Sequence, residues 1–299
     1  MRKLIGWLRA LRPKQWTKNG FVFAALLFAH QFTSPVEVQR ALLAFACFCG
    51  LASSVYLLND LRDLEEDRKH PRKRRRPLAS GLLSPTTALV TALILGPLSL
   101  YGFFHINAPT GYLGLSYLAI QVLYNAVLKR VVILDVLAVA AGFVIRAAVG
   151  ATAISVVISP WLLICTILLA LFLALSKRRQ EIGTMGEEAG STRHILSEYS
   201  QNLLDQMIAV VTASTLMSYA LYTISERTVT ELGTDKLMYT IPFVIYGIFR
   251  YLYLVHQRDQ GEAPDRVLLT DGPLIANILL YGLAVFVILL LFGRPPGTP

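Results

Sequence analysis

The chain has 299 residues, of which 55% are apolar and only 16% charged, and its formal net charge is +9. A soluble domain carries roughly 25% charged residues, so the composition excludes a soluble globular protein and describes a chain built into a bilayer. The positive balance does not indicate nucleic acid: the cations stand beside long apolar runs, where anionic lipid heads and polyphosphates are the better partners.

Residues 1–19 hold six cations and too few consecutive apolar residues for a cleavable signal peptide, and read as a basic interfacial lead-in. Crossing a hydrocarbon core of about 30 Å takes about 20 helical residues. Nine segments qualify: 20–34, 40–58, 85–105, 110–128, 132–154, 159–175, 206–225, 238–256 and 273–293. The first is short, with His30 and Gln31 near its end. Nine spans place 22 Lys and Arg on one side and four on the other, with Arg146 and Arg250 inside spans. By the positive-inside rule the basic loops and the N-terminus are cytoplasmic. The expectation is an all-α, multi-pass protein of the cytoplasmic membrane. It forms a single domain over 1–299, with two long cytoplasmic loops at 59–84 and 176–205.

The second span leads into Asn59-Asp60-Leu61-Arg62-Asp63-Leu64-Glu65-Glu66-Asp67, followed at once by a basic run from Arg68 to Arg76. On a helix Asp60, Asp63 and Asp67 stand at i, i+3 and i+7, which predicts three carboxylates on one narrow face. Such crowding at a bilayer edge is costly without a ligand. Mg²⁺ suits it, because that ion prefers oxygen and is commonly held by a few carboxylates together with substrate phosphates. Asn59 would add a neutral oxygen or orient a metal-bound water. The basic run has two readings, a topology anchor or a phosphate site. Since Arg forks onto phosphate where geometry is fixed, Arg68 and Arg72, nearest the acids, are the stronger candidates, beside Arg62 within the motif.

Lys129 and Arg130 close the fourth span and serve either as phosphate ligands or as snorkelling anchors. Asp135 and Arg146 share a face of the fifth span, eleven residues apart and too distant to pair directly. Ionisable residues inside spans usually face an internal cavity. Past the sixth span comes Ser176-Lys177-Arg178-Arg179-Gln180-Glu181. Lys177 and Glu181, at i and i+4, can form an intrahelical ion pair; alternatively the cations bind an anion at the mouth of a cavity. Arg250, between Tyr246 and Tyr251, reads as cation–aromatic packing. Cys47, Cys49 and Cys165 lie in apolar spans as small core residues, no His pair has zinc-ligand spacing, and there is no Gly-rich phosphate loop or nucleophile elbow.

Asn59-Asp60-x-x-Asp63-x-x-x-Asp67 after the second span resembles the first Asp-rich motif of the UbiA superfamily of intramembrane prenyltransferases. The resemblance implies a nine-helix bundle with a central cavity opening to the cytoplasm, where two Asp-rich loops bind an isoprenoid diphosphate through Mg²⁺. The second loop departs from that pattern, with Lys177-Arg178-x-x-Glu181 in place of a second Asp-x-x-x-Asp. This departure, together with Arg12-Pro13-Lys14-Gln15-Trp16-Thr17-Lys18-Asn19 and Asp67-Arg68-Lys69-His70-Pro71 with Arg76-Pro77, resembles the polyprenyl-phosphate phosphoribosyltransferase branch. What that resemblance implies is Mg²⁺-dependent transfer of a 5-phosphoribosyl group from phosphoribosyl pyrophosphate to a polyprenyl, decaprenyl-like, phosphate. Asp60, Asp63 and Asp67 would be catalytic and, with Asn59, metal-binding. Lys14, Gln15, Lys18, Asn19, Arg62, Arg68, Arg72, Lys129, Asp135, Arg146, Lys177, Arg178 and Glu181 would bind substrate. The charges agree, since an acidic second loop would repel a lipid phosphate and Lys177 and Arg178 remove that repulsion. Two alternatives stand: transfer of a polyprenyl group from its diphosphate to an aromatic acceptor, and a transporter, which leaves the in-register carboxylates unexplained. Membrane lipids are partners in every reading, and a homo-oligomer is compatible with all of them.

Overall fold

The structure, a computed structural model, describes residues 2–29, 31–70, 73–157, 159–185, 194–258, 267 and 270–293. Its elements in chain order are α1 (Arg2–Ala10), a 3-10 segment (Pro13–Phe23), α2 (Ala24–Phe28), α3 (Pro35–Arg62), α4 (Leu64–Lys69), α5 (Pro85–Ile106), α6 (Ala108–Ala126), α7 (Leu134–Ala153), α8 (Pro160–Met185), α9 (Gln201–Ile224), α10 (Glu226–Leu232), α11 (Ile241–Gln257) and α12 (Gly272–Phe292). Among the described residues there is no strand. Helix starts are written in the sequence: Ser84, Asn107, Ser200, Ser225 and Asp271 each accept a hydrogen bond from the backbone N–H three residues on. Proline in the first turn of α3, α5, α6, α11 and α12 sits where its missing N–H costs nothing.

Among the described residues seven stretches are long and apolar enough to cross a bilayer: α3, α5, α7, α8, α9, α12 and the run Lys236–Gln257 that contains α11. The chain is an all-helical, multi-pass membrane protein. The expected span 110–128 appears as α6, a 19-residue helix whose Gln121 and Asn125 lower its hydropathy. The expected span 20–34 is not one continuous helix. It divides into the end of the 3-10 segment and the five-residue α2, with His30 outside the described residues. The segment lies so close to α7 that a Cβ on Gly150 would collide with the Val22 carbonyl. It packs on α3, α7 and α2 as an inset whose Asn19 and Val22 are buried.

α3 and α7 form the middle of the bundle, with 61% of their apolar windows buried against 17% in α12, most of whose leucines face outward while Leu274 and Leu289 are buried. The buried ionisable residues Asp60, Asp135 and Arg146 lie on these two helices, where intramembrane charge is tolerated. α3 packs tightly on α5 through small residues; a Cβ on Gly50 would strike Ser99 and one on Gly102 would strike Cys47.

Candidate active site

The acids are assembled at the end of α3. Helix α3 stops at Arg62, Asp63 takes a non-helical conformation (φ −92°, ψ 11°), and α4 resumes at Leu64. That bend corrects the expectation of three carboxylates on one helical face. Asp60 and Asp67 are buried and share a partner, while Asp63 stands half-buried at the bend and Asn59 is half-buried one residue before Asp60.

The shared partner is Arg76, whose Nη1 donates to Asp60 Oδ1 at 3.1 Å and to Asp67 Oδ2 at 2.6 Å. Arg12 donates a second, very short hydrogen bond to Asp60 Oδ1. Lys73 Nζ lies 4.0 Å from Asp67 Oδ1, a buried oxygen that finds no hydrogen-bond partner among the described residues. Arg12 precedes Pro13, which disfavours the right-handed helical region. It takes φ 54°, ψ 57° instead, and its guanidinium lies 4.9 Å over the Tyr56 ring. Beneath these charges Ala10, Leu11, Leu57, Leu78, Leu83 and Ala92 pack α1, α3, the 76–84 loop and α5 together. Trp16 Nε1 donates to Ser53 Oγ at 3.1 Å, and Ser53 donates to the Leu11 carbonyl at 2.8 Å. Local sequence shows neither guanidinium: Arg12 reaches across 48 residues and Arg76 across 16.

A second polar centre joins α7 and α8. Asp135, fully buried, accepts from Arg178 Nε at 2.9 Å and from the Tyr199 hydroxyl at 2.8 Å. Tyr199 Oη in turn accepts the backbone N–H of Ile133 at 2.7 Å, at a residue with φ 71°. Arg178 also donates to Glu181 Oε2 at 2.6 Å, and Lys177 Nζ lies 3.8 Å from Glu181 Oε1, so the intrahelical alternative is realised. Burial, and secondarily the bond to Asp135, push the Tyr199 phenol up to about 12, so it stays a proton donor. The expected loop 176–205 is corrected here: α8 continues to Met185, and Lys177, Arg178 and Glu181 are helical. Residues 186–193 lie outside the described residues. Sequence reasoning missed Tyr199, whose role rests on a fold-back of 64 residues.

A third cluster is deeper. Arg146 donates from Nε to Asn19 at 2.8 Å, from Nη1 to the Gly142 carbonyl at 2.7 Å and from Nη2 to Tyr117 at 3.3 Å. Its guanidinium lies 4.9–5.3 Å from the rings of Phe48, Tyr117 and Phe143, and Asn19 donates to Cys49 Sγ at 3.2 Å. Asn19 and Arg146 are thus brought together, as sequence distance would not suggest.

Other expectations fare differently. Arg68 turns to the exposed Glu65 at 2.7 Å, away from the buried acids, because Arg76 already fills the space between them. Arg62 is exposed and reaches the Asn125 carbonyl at 3.4 Å. Arg72 lies outside the described residues. Lys14 is exposed on the 3-10 segment, with Gln15 and Lys18 half-buried beside it. Lys129 is half-buried in a short 3-10 turn (Leu128–Arg130) against the segment His194–Glu198. Arg250 lies 5.2 Å over Tyr253, rather than over Tyr246 or Tyr251, and pairs with Asp271 at 2.8 Å.

Among the described residues no three acids, histidines or cysteines stand close enough to hold a metal as they are. The donor chemistry nevertheless fits a hard cation. Asp60 and Asp67 offer carboxylate oxygens that already converge on one positive charge, and Asp67 Oδ1 is a buried oxygen without a hydrogen-bond donor among the described residues.

The family model described as the UbiA prenyltransferase family matches residues 20–270. The chain belongs to that family. Among its curated relatives, a decaprenyl-phosphate phosphoribosyltransferase of Corynebacterium glutamicum is 36% identical over 275 residues, covering 89% of this chain and 81% of the relative. One of the same name from Mycolicibacterium smegmatis is 33% identical, covering 89% and 86%. A solved UbiA homolog from Archaeoglobus fulgidus, bound to GPP and Mg²⁺, superposes on this family member with a TM-score of 0.72 at 21% identity, over 94% of this chain and 99% of that one.

Proposed function

We propose that the chain is a polyprenyl-phosphate phosphoribosyltransferase. It moves a 5-phosphoribosyl group from phosphoribosyl pyrophosphate to a polyprenyl phosphate and releases pyrophosphate. The observation that carries the reading is the make-up of its two polar centres: one gathers Arg12, Lys73 and Arg76 around the buried Asp60 and Asp67 of α3 and α4, the other sets exposed Lys177 beside Arg178 on α8, with Arg178 buried against Asp135 and Glu181. Carboxylates ringed by cations suit a metal-bound pyrophosphate that departs, and an exposed lysine in place of a further carboxylate suits an acceptor that is itself a phosphate. The identity with relatives bearing that enzyme name supports the same assignment.

In the reaction the bond between ribose C1 and the pyrophosphate oxygen breaks, and a lipid phosphate oxygen bonds to C1. The acceptor oxygen is already ionised at neutral pH, so no strong general base is required. Asp60 and Asp67, with Asp63 and Asn59 beside them, would hold Mg²⁺, which when bound neutralises charge on the leaving pyrophosphate. Arg12, Arg76 and Lys73 orient the donor phosphates from the same pocket. Lys177, exposed and 3.8 Å from Glu181, is the solvent-facing cation of the second centre. Asp135 and Glu181 hold Arg178 in place and restrain α8 against α7. Lys14, Gln15, Lys18 and Lys129 serve as further phosphate contacts in this reading, and Arg146 with Asn19 forms a separate polar cluster deeper in the bundle. Both centres face the cytoplasm in this reading, which the excess of Lys and Arg around them supports.

The test is a purified-enzyme assay with two substrate pairs. Labelled phosphoribosyl pyrophosphate plus polyprenyl phosphate should give labelled lipid; polyprenyl diphosphate plus 4-hydroxybenzoate should give none. Product in the second pair alone would overturn the reading in favour of prenyl transfer.

A further inference from the structure

Asp60 and Asp67 are 2% and 1% exposed, and their negative charge is met by side chains of the protein itself. A single nitrogen, Arg76 Nη1, serves both carboxylates at 3.1 and 2.6 Å, and Arg12 serves Asp60 as well. Arg76 therefore occupies the position between two acidic oxygens that a bound cation would take. If Asp60 and Asp67 turn to a divalent cation, the two guanidinia lose their anions in a pocket where they are only 28% and 30% exposed. Leaving a partly buried charge unpaired is costly. A pyrophosphate group removes that cost, because a guanidinium forks onto phosphate oxygens at least as well as onto a carboxylate.

We propose that Arg76 is a resident counter-ion that competes with the metal for Asp60 and Asp67, and that it is released to the pyrophosphate when metal and donor enter together. The inference rests on the metal-site reading above and adds to it an exchange of partners. Metal alone must displace Arg76 and strand it, whereas metal with pyrophosphate displaces it onto a new anion. Metal and pyrophosphate each raise the affinity for the other, as reciprocal linkage requires. The half-exposed edge of Arg76 supplies the route for the swing, and Asp67 Oδ1, which accepts no hydrogen bond among the described residues and has only Lys73 at 4.0 Å, supplies the oxygen that the cation meets first.

The experiment measures Mn²⁺ binding to the full-length protein in detergent, with and without inorganic pyrophosphate, correcting for the complex that forms in solution. Wild type should bind Mn²⁺ alone weakly and gain about tenfold or more with pyrophosphate. Arg76→Gln should bind Mn²⁺ alone about tenfold more tightly than wild type and gain less from pyrophosphate. Arg76→Lys, which keeps the charge, should stay near wild type. A damaged site loses metal affinity, so the expected gain separates competition from simple structural harm. Where Arg76→Gln fails to elute as a monodisperse species, Arg12→Gln removes the other guanidinium on Asp60 and should shift Mn²⁺ affinity the same way. Equal or weaker Mn²⁺ binding in both variants overturns the proposal. Asp67→Asn distinguishes the two levels: unchanged Mn²⁺ binding in that variant overturns the metal-site reading itself.

Discussion

Arg178 and Lys177 are neighbours with opposite duties. Arg178 is buried and paired with Asp135 and Glu181, so Arg178→Gln strands the charge of Asp135 inside the bundle. The expected loss is about 3–5 kcal/mol, seen as a lower melting temperature in detergent before any assay is run. Lys177 is half-exposed and only loosely paired; Lys177→Gln should leave the melt unchanged and raise KM for the lipid phosphate. Asp67→Asn should lower kcat by about a hundredfold or more, the usual effect of removing an electrostatic contact to the reacting group, while size-exclusion elution stays normal. Asp60, Asp67, Arg178 and Glu181 were legible as charges that must be paired, because carboxylates and cations at a membrane edge demand partners. The identity of those partners was not legible. Arg76 stood in a basic run where any of several cations could have turned inward, and only the packing of Leu78 and Leu83 under α5 decides which one does.

The helices were readable where hydropathy alone governs, which is why α5, α7 and α12 fall within two residues of the expected limits. They were misread where polar residues are satisfied within the helix. α8 runs on to Met185 because Lys177, Arg178 and Glu181 pair with one another and with Asp135, so charge does not end the helix as a hydropathy argument assumes. The clamp between α7 and α8 makes a further prediction. Tyr199→Phe removes both the bond to Asp135 and the acceptor for the Ile133 N–H, at an expected cost of about 1–3 kcal/mol. Because the folded phenol titrates near 12 rather than near 10, its contribution is complete below about pH 10 and disappears as pH rises toward 12. The melting difference between wild type and variant should be flat below pH 10 and shrink above it. The N-terminal inset was hidden for another reason: its fit depends on a missing side chain, Gly150, against the Val22 carbonyl. Gly150→Ala should destabilise by about 1–3 kcal/mol, read as a lower melting temperature.

For the molecule as a whole, orientation is the property that composition addressed most directly. Single cysteines in a background lacking Cys47, Cys49 and Cys165 should report it. A cysteine introduced by Lys69→Cys should react with an impermeant maleimide only after the membrane is opened, and one introduced by Arg227→Cys should react in intact cells; the reverse pattern would invert the topology. The arrangement of buried charge also has a consequence for synthesis. Every partner of Arg146, namely Asn19, Phe48, Tyr117, Gly142 and Phe143, precedes it in the chain. When this arginine emerges from the ribosome its cage has already been made, and the bilayer need not hold the charge alone. Asp135 has the opposite history, since Arg178 and Tyr199 follow it by 43 and 64 residues. This order predicts assembly in two stages: the N-terminal half has the groups to close around its cation as it is made, while the clamp between α7 and α8 must wait for α8 and the residues beyond it.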